Sequence, residues 1–476
     1  MTAAGIQLSG RAGGPVAVPG GALEDLARAG GRLLHPGDPG WDDAVQLWNG
    51  MAAGAPALVL RPASAGQVAA AVGFARDHGV ALGVKGGGHN IAGTAIADGG
   101  LLLDLSEMRE VAVDPEARLA DVGAGCRLAD VDRATQAHGL ATPLGFISQV
   151  GVAGLTLGGG LGYLTRRFGW TVDNRVGAEV VTADGQVRTA SRDRHPDLFW
   201  GLRGGGGNLG VVTRFSFRLH RVGPDVYGGL IAWPFERAAE VQAAYRALTA
   251  AAPRELAVWL NLLNAPPAPF VPPAWHGRRV CAMAVCYSGD LDRAGEVLAP
   301  VLALGDPVFD LLATQPYTQV QSHLDDSEPA GLHHYWKTEL LAGLDGDLLA
   351  AARELSAGCP VPEGEIGILH LGGALNERAG GDGAVGNRDA RYVLGVKGMW
   401  SPQDPGGDRF REWIRDAWAR LRPFSTGASY VNFQTADEGA DRVRAAYGAN
   451  YDRLVEVKRR WDPDNLFRAN RNVAPG

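Results

Sequence analysis

Two short apolar runs, separated by apolar positions at helical spacing, predict a strand, a helix and a second strand over residues 57–84. Residues 57–60 form a short apolar run, and Ser64 then stands as an N-cap before apolar positions at helical spacing that end at Gly79. A second apolar run covers 80–84 and leads directly into KGGGHNIAG at 85–93. Three consecutive glycines after a strand let the backbone approach a ligand closely.

Further strands follow, with two more glycine clusters among them. The predicted elements are a strand at 101–106, a hairpin around Pro115-Glu116, a helix over 128–138 and a hairpin with the two-residue turn Asp184-Gly185. The glycine clusters occupy 143–175 and 203–219. Residues 205–210, GGGNLG, satisfy the pattern GxGxxG, but the alternating residues after them predict a strand where a dinucleotide fingerprint needs a helix. This disfavours a Rossmann fold and a nicotinamide-dependent dehydrogenase.

After about residue 225 the glycine clusters give way to longer strands and amphipathic helices. The predicted strands are 256–263, 280–287, 367–371 and 392–396, and the predicted helices are 290–304, 346–358 and 408–421. This spacing predicts an antiparallel sheet backed by helices. Short motifs return at the end of the chain, so a second domain is predicted to be inserted into a split first one.

Composition and charge restrict the classes of partner. The 476 residues carry 45 Lys plus Arg against 52 Asp plus Glu, a net charge of −7 without a basic run, which argues against nucleic acid and a membrane surface and favours a small molecule. No signal peptide or apolar span is present, so we expect a cytoplasmic protein. Scattered cysteines without CxxC spacing predict reduced structural thiols and no metal site: Cys126, Cys281, Cys286 and Cys359.

Taken in order, these motifs resemble the berberine-bridge-enzyme-like FAD-linked oxidases, within the flavoproteins of vanillyl-alcohol-oxidase (PCMH) type. They are GVKGGGHNIAG (83–93), LLLDLS (101–106), VGVAGLTLGGGLG (150–162), VVTADG (180–185), DLFWGLRGGGGNLGVVTRFSF (197–217), YWKTELL (335–341), YVNF (430–433) and WDPDNLFRANRNV (461–473). The resemblance implies an α+β fold in which an antiparallel-sheet substrate domain is inserted into a split two-subdomain FAD-binding domain. The expected limits are 1–50 for an N-terminal tail or helix, 51–225 for the FAD domain, 226–424 for the substrate domain and 425–476 for the segment that completes the FAD domain.

The resemblance also implies FAD attached covalently through its 8α carbon to His89. A neutral imidazole nitrogen is a competent nucleophile for such a bond. Ile147 stands where many members have a second, cysteinyl linkage, so a singly linked flavin is expected, which weakens an assignment as a carbohydrate oxidase. The other cofactor-binding candidates are Lys85, Gly86, Gly87, Gly88, Asn90, Gly93, Gly151, Gly154, Gly158, Gly159, Gly160, Gly162, Gly210, Val211 and Asn432.

Oxidation by hydride transfer also needs a group that takes the substrate proton. The resemblance points to Tyr430, and Phe433 replaces a tyrosine that several members have there. In the inserted domain the candidates are His370 and Tyr335. If residues 335–339 are extended, Tyr335, Lys337 and Glu339 lie on the same face of the strand.

The resemblance, taken with these observations, implies an oxidase that dehydrogenates or oxidatively cyclises a bulky aromatic or polyketide-like compound in secondary metabolism, with O2 as acceptor and H2O2 as product. Two alternatives stay open: an oxygenase that retains oxygen on the flavin, and a flavin-containing drug-binding or resistance protein with little turnover. The expected partners are the small-molecule substrate and O2, and the protein is expected to be a monomer or a homodimer.

Overall fold

The structure, a computed structural model, describes residues 5–52 and 54–476, and over these residues it has the predicted α+β fold. The strands are β1 (Ile6–Ser9), β2 (Pro15–Val18), β3 (Arg32–Leu34), β4 (Leu58–Arg61), β5 (Leu82–Lys85), β6 (Leu101–Asp104), β7 (Val111–Asp114), β8 (Leu119–Gly123), β9 (Leu140–Ala141), β10 (Arg175–Val181), β11 (Val187–Ser191), β12 (Val211–Arg218), β13 (His220–Arg221), β14 (Asp225–Pro234), β15 (Leu256–Asn264), β16 (Arg279–Tyr287), β17 (Phe309–Asp310), β18 (Ala313–Pro316), β19 (His333–Leu341), β20 (Glu363–His370) and β21 (Tyr392–Trp400).

The helices pack around these strands. They are α1 (Gly20–Gly30), α2 (Trp41–Val45), α3 (Ala65–Asp77), α4 (Leu128–Gln136), α5 (Val152–Leu157), α6 (Thr165–Phe168), α7 (Pro196–Leu202), α8 (Ala238–Ala251), α9 (Ala294–Val297), α10 (Ala299–Leu302), α11 (Tyr317–Ser322), α12 (Gly346–Ala357), α13 (Gly407–Leu421), α14 (Ala440–Tyr447) and α15 (Tyr451–Trp461). Within the described part of the chain, every helix is too short or too polar to cross a bilayer.

The first sheet has the strand order β3-β4-β6-β5, with β4, β6 and β5 parallel and β3 antiparallel to β4. The predicted strand–helix–strand unit at its centre is confirmed as β4, α3 and β5. The Ser64 hydroxyl accepts a hydrogen bond from the backbone N–H of Gln67, as an N-cap should. Strand β5 ends at Lys85, so the sheet delivers the first glycine cluster from a rigid strand end.

The second sheet has the order β11-β10-β12-β8-β7 and is antiparallel throughout. The strand predicted after GGGNLG is confirmed as β12. The predicted two-residue turn at Asp184-Gly185 is wrong, because Thr182 and Gln186 close a three-residue turn through a backbone hydrogen bond of 3.1 Å. Gly185 takes the left-handed position, with φ of 78°, that this longer hairpin turn requires.

The third sheet has eight antiparallel strands in the order β17-β14-β16-β15-β20-β21-β19, with β18 also paired to β14. The four predicted strands of this region are confirmed as β15, β16, β20 and β21. Helices α8, α12 and α13 pack on one face of this sheet and form an apolar core with it. The predicted helix over 290–304 is instead broken into α9 and α10 beside Pro300, which lacks the N–H needed to continue it.

The N-terminal region was expected to be a tail or lightly packed helix, and its described residues are more ordered than that. Strands β1 and β2 form a hairpin, and β3 extends the first sheet. Leu8, Val18 and Leu26 are buried in the core around that sheet. Alternating apolar residues over such short strands carry too little signal for prediction. The expected domain limits stay a prediction; the eight-stranded sheet lies within the range 226–424 except for the first residue of β14.

The C-terminal segment returns to the glycine-rich part of the chain through a buried ion pair. Lys458 Nζ lies 2.6 Å from Asp462 Oδ2 and donates to the carbonyl oxygens of Asn208 and Phe467 at 2.8 and 3.0 Å. Both charged side chains are fully buried. The carboxylate also accepts the backbone N–H groups of Leu466 and Phe467. This pair therefore ties the end of the chain to the third glycine cluster.

We expect Lys458→Met to destabilise the protein by about 3–5 kcal/mol, because it leaves the Asp462 carboxylate buried without its cation. Urea unfolding measures the change. Arg444→Met is the matched control, because Arg444 pairs with Asp452 on the surface and such pairs contribute under about 1 kcal/mol. An equal loss in both variants would contradict this account.

Candidate active site

A large cavity lies between the glycine-rich loops and the open face of the eight-stranded sheet. Its volume is about 970 Å³, at the upper end of the roughly 300–1,000 Å³ typical of small-molecule sites. The segments 86–90 and 150–155 line one side. Strands β15, β16, β19, β20 and β21 line the other. The two parts of the chain therefore meet at one site.

The first two glycine clusters touch each other backbone to backbone. A Cβ atom on Gly87 would overlap the backbone N and Cα of Gly151, and a Cβ on Gly151 would overlap the backbone of Gly87. Gly88 follows with φ of 68°, which side chains rarely adopt. Any side chain at position 87 or 151 would push the two loops apart.

Beside this contact, the cavity wall fits a large flat ligand with polar groups. An added Cβ at Gly154, on α5, would meet no atom of the described residues within 4 Å, so the helix backbone itself faces the cavity. Arg471 Nε and Asn470 Oδ1 are buried and find no hydrogen-bond partner among the described residues, and both residues line the cavity. The predicted cofactor residues that line it are Gly86, Gly87, Gly88, His89, Asn90, Gly151, Gly154, Gly210, Val211 and Asn432. These groups fit FAD.

The remaining predicted cofactor residues do not line the cavity in the described structure, so their expected role toward the cofactor stays a prediction. They are Lys85, Gly93, Gly158, Gly159, Gly160 and Gly162. Lys85 Nζ donates to the carbonyl oxygens of Asp43 and Ala44 at 3.0 and 2.7 Å. A Cβ at Gly158 would overlap the Asn432 amide, and one at Gly162 would overlap the Leu144 carbonyl oxygen. These residues serve close packing behind the wall.

His89 lies on the cavity wall in a stack of rings. Its imidazole lies over Trp48 at a centroid distance of 4.3 Å and an angle of 14°, and Trp48 stacks on His334 at 3.8 Å. The Trp48 indole N–H donates to the Glu328 carbonyl oxygen at 2.8 Å, which fixes the stack. Burial lowers the pKa of His89 to about 4, so its imidazole is neutral at pH 7. A neutral ring nitrogen is the form that acts as a nucleophile.

Tyr430 also lines the cavity, and its hydroxyl oxygen is held by two donors. It accepts the backbone N–H of Gly160 at 2.8 Å and the Asn432 side-chain N–H at 2.9 Å. Burial raises the pKa of Tyr430 above its usual range, and the two donors offset only part of that rise. Phe433 packs edge-on against the Tyr430 ring at 4.9 Å and lines the cavity beside it.

His370 lies away from the cavity wall, so the geometry does not support the catalytic role expected for it, and that role stays a prediction. Its ring lies 2.8 Å from an Arg166 guanidinium nitrogen and stacks on Tyr392 at 5.1 Å, on the face of β20 away from the cavity. Burial, with Arg166 adding to the effect, lowers its pKa to about 2. Because side chains alternate along a strand, Gly367 and Leu369 face the cavity in its place.

Tyr335 is likewise turned away from the cavity. Tyr335, Lys337 and Glu339 share one face of β19 as expected, but that face packs toward α13, where Arg415 donates to the Tyr335 hydroxyl at 2.8 Å. The same hydroxyl donates to Asp437 at 2.7 Å. The residues of β19 that line the cavity are His334, Trp336 and Thr338.

The sequence analysis missed a charged row on the cavity face of the sheet. Lys397 on β21 stands directly across from Glu365 on β20, at 3.1 Å, and lies 2.7 Å from Glu328. Burial opposes the charge on Lys397, but the two carboxylates outweigh it and raise the pKa of that amine above its usual range. The available signal was a single lysine inside the apolar strand YVLGVKGMW.

Comparison with known proteins agrees with this geometry. Residues 56–191 match the family model for an FAD-binding domain, and residues 429–474 match the model described as berberine and berberine-like. The chain is similar to (R)-6-hydroxynicotine oxidase of Paenarthrobacter nicotinovorans, at 32% identity over 94% of this chain and 97% of that protein. It is also similar to the FAD-linked oxidoreductase pgmH of Aspergillus terreus, at 34% identity over 90% of each chain.

Solved structures show the same similarity. The crystal structure of 6-hydroxy-D-nicotine oxidase from Arthrobacter nicotinovorans superposes with a TM-score of 0.82 at 28% identity, and the match covers 95% of this chain and 99% of that one.

We expect Gly87→Ala to destabilise the protein by about 1–3 kcal/mol, since the new methyl group must separate two packed backbone segments. Gly154→Ala is the control in the same wall, where the methyl group meets open space. Thermal unfolding of the two variants without cofactor makes the comparison. Equal melting temperatures would show that the loop contact is not tight.

Proposed function

This chain belongs to the berberine-bridge-like family of FAD-linked oxidoreductases, and from that premise we propose that it is an oxidase with its flavin joined to His89. The observation that carries the proposal is the neutral, ring-stacked imidazole of His89 on the wall of a cavity that also reaches the inserted sheet. The substrate side and the cofactor side thus share one space.

We propose a single covalent attachment to the protein. Ile147 lines the cavity and offers no nucleophile. Cys126 is fully buried, its thiol lies 3.6 Å from the Glu110 carbonyl oxygen, and burial raises its pKa to about 12. A thiol that stays protonated is a poor nucleophile. These observations support a singly linked flavin.

The proposed substrate is a bulky aromatic or polyketide-like compound of secondary metabolism, which is dehydrogenated or oxidatively cyclised. Trp259, Trp336, Phe146 and Phe433 line the substrate side of the cavity and offer ring faces and edges to such a compound. The relative named (R)-6-hydroxynicotine oxidase supports an oxidase that acts on an aromatic compound. Bound FAD would supply hydride acceptance, and O2 would then take the electrons and leave as H2O2.

Within this reaction the phenolate form of Tyr430 is the group that we propose to take the substrate proton, which returns it to the neutral phenol. The N–H groups of Gly160 and Asn432 both point at its oxygen, so they would stabilise the negative charge of a phenolate. The ring is held by Trp170, which stacks on it at 5.2 Å, so the oxygen has a fixed position.

The attachment and the oxidase activity are tested with His89→Ala. In the wild-type protein we expect yellow colour to stay with acid-precipitated protein, and the variant should release its flavin, because the linking nitrogen is gone. His138→Ala, a change at an exposed histidine, should keep the colour. Retained colour in His89→Ala would refute the linkage.

Peroxide formation is measured with the same wild-type protein once a substrate is found. One H2O2 per O2 consumed supports the oxidase. Labelled oxygen appearing in the product would instead support the oxygenase alternative.

We expect Tyr430→Phe to lower kcat by roughly 10²-fold or more while flavin content is unchanged, as loss of a positioned proton acceptor does. Tyr335→Phe removes a hydroxyl on the opposite face of the sheet and should leave kcat within about twofold. Stopped-flow reduction of the bound flavin measures the step directly. Similar rates in both variants would exclude Tyr430 as the acceptor.

A further inference from the structure

Three polar atoms converge on a glycine in the middle of the cavity wall. Around Gly367 on β20, an ideal Cβ would lie 2.7 Å from Trp259 Nε1, 2.8 Å from Asn261 Oδ1 and 2.9 Å from Glu365 Oε1. All four residues line the cavity. Gly395, the partner of Gly367 on β21, is different, because its added Cβ would meet only Thr338 among the described residues, at 3.9 Å. The glycine at 367 keeps a small polar niche open.

The niche contains acceptors that the protein itself leaves unused. Glu365 Oε1 and Asn261 Oδ1 are buried and find no donor among the described residues. Each residue is only 9% exposed. A buried acceptor without a donor costs free energy that a bound donor would recover. The niche is therefore complementary to a group with N–H or O–H bonds.

The charges around the niche favour a cation over a neutral donor. Lys397 and Arg279, which also acts on Glu365, supply two positive charges, against the three carboxylates of Glu328, Glu365 and Glu363. Glu363 lies two residues before Glu365 on the same face of β20 and also lines the cavity. His334, beside Glu328, adds no positive charge at neutral pH, because burial lowers its pKa. The wall thus carries an excess of negative charge.

Lys397 is not available to a ligand anion. Its amine is held between the two carboxylates and lies 5.3 Å from the centre of the Trp259 ring. Burial raises the pKa of Glu365, although Lys397 and Arg279 both act in the opposite direction. A cation bound at the free oxygen Oε1 would further stabilise the charged carboxylate.

We propose that the substrate carries a protonated amine next to its aromatic part, and that the amine N–H groups donate to Glu365 Oε1 and Asn261 Oδ1 in the niche over Gly367. This inference rests on the proposed oxidase function, since it names the substrate class of the same cavity. The ring of such a compound would pack against the aromatic side chains of the wall, among them Trp259 and Trp336.

The test uses three probes with one ring system: tryptamine, tryptophol and indole-3-acetate. They present an ammonium, a hydroxyl and a carboxylate, respectively, at the same place. Isothermal titration calorimetry of the holoenzyme at pH 7.5 measures each Kd. We expect tryptamine to bind at least tenfold more tightly than tryptophol, and indole-3-acetate to bind more weakly than either.

Two variants of the niche locate the effect. Glu365→Gln, which keeps the shape and removes the charge, should reduce the tryptamine preference to below threefold. Gly367→Ala, which fills the niche, should weaken tryptamine binding at least tenfold. Glu354→Gln is the control for a lost carboxylate, because Glu354 lies on the surface of α12 and pairs with Arg420. It should keep the full preference.

Equal affinities for tryptamine and tryptophol, absence of tryptamine binding, or an unchanged preference in Glu365→Gln would each overturn the inference. Calorimetry measures binding without turnover, so it tests the niche independently of the peroxide assay that tests the proposed oxidase function. A protein that prefers tryptamine but forms no peroxide with any amine substrate would contradict the oxidase and support the niche. A protein that forms peroxide only with neutral substrates and shows no tryptamine preference would support the oxidase and contradict the niche.

Discussion

The direct contact between the backbones of Gly87 and Gly151 sets the position of everything else in the site. One loop leaves the end of β5 and the other leads into α5, and the contact leaves no room for a side chain between them. His89 follows two residues after it, so its ring is delivered to the wall from a rigid point. The backbone of α5 is presented to the cavity on the other side. A side chain at either glycine would separate these parts.

The eight-stranded sheet supplies the opposite wall by simple alternation. One face carries the apolar residues that pack on α8, α12 and α13. The other face carries Trp259, Asn261, Glu365 and Lys397. Their polar and charged groups are costly to bury without partners, and they lie where a ligand in the cavity can bind to them. The structure thus concentrates charged groups on the cavity face of this sheet. The glycine-rich loops and the sheet are therefore distinct surfaces that enclose one volume.

Local features of the fold were predictable from the sequence. The β4–α3–β5 unit could be predicted because the signals for its helix cap, its helical period and its end lie within a few residues of one another. The glycine clusters that touch at Gly87 and Gly151 could be recognised from their composition. The placement of His370 and Tyr335 could not be predicted, because pairing with distant strands decides which face of a strand meets the cavity. The same reason hid Glu365 and Lys397, whose partnership exists only in the sheet register.

The central claim is that this cavity holds FAD bonded to His89 alone. Peptide mapping by mass spectrometry after proteolysis of the purified holoenzyme tests it most directly. The account predicts that the mass of FAD is found on the peptide containing His89, and that the peptides containing Ile147 and Cys126 carry their unmodified masses. Flavin on the Cys126 peptide, or a His89 peptide without flavin from a yellow protein, would contradict it.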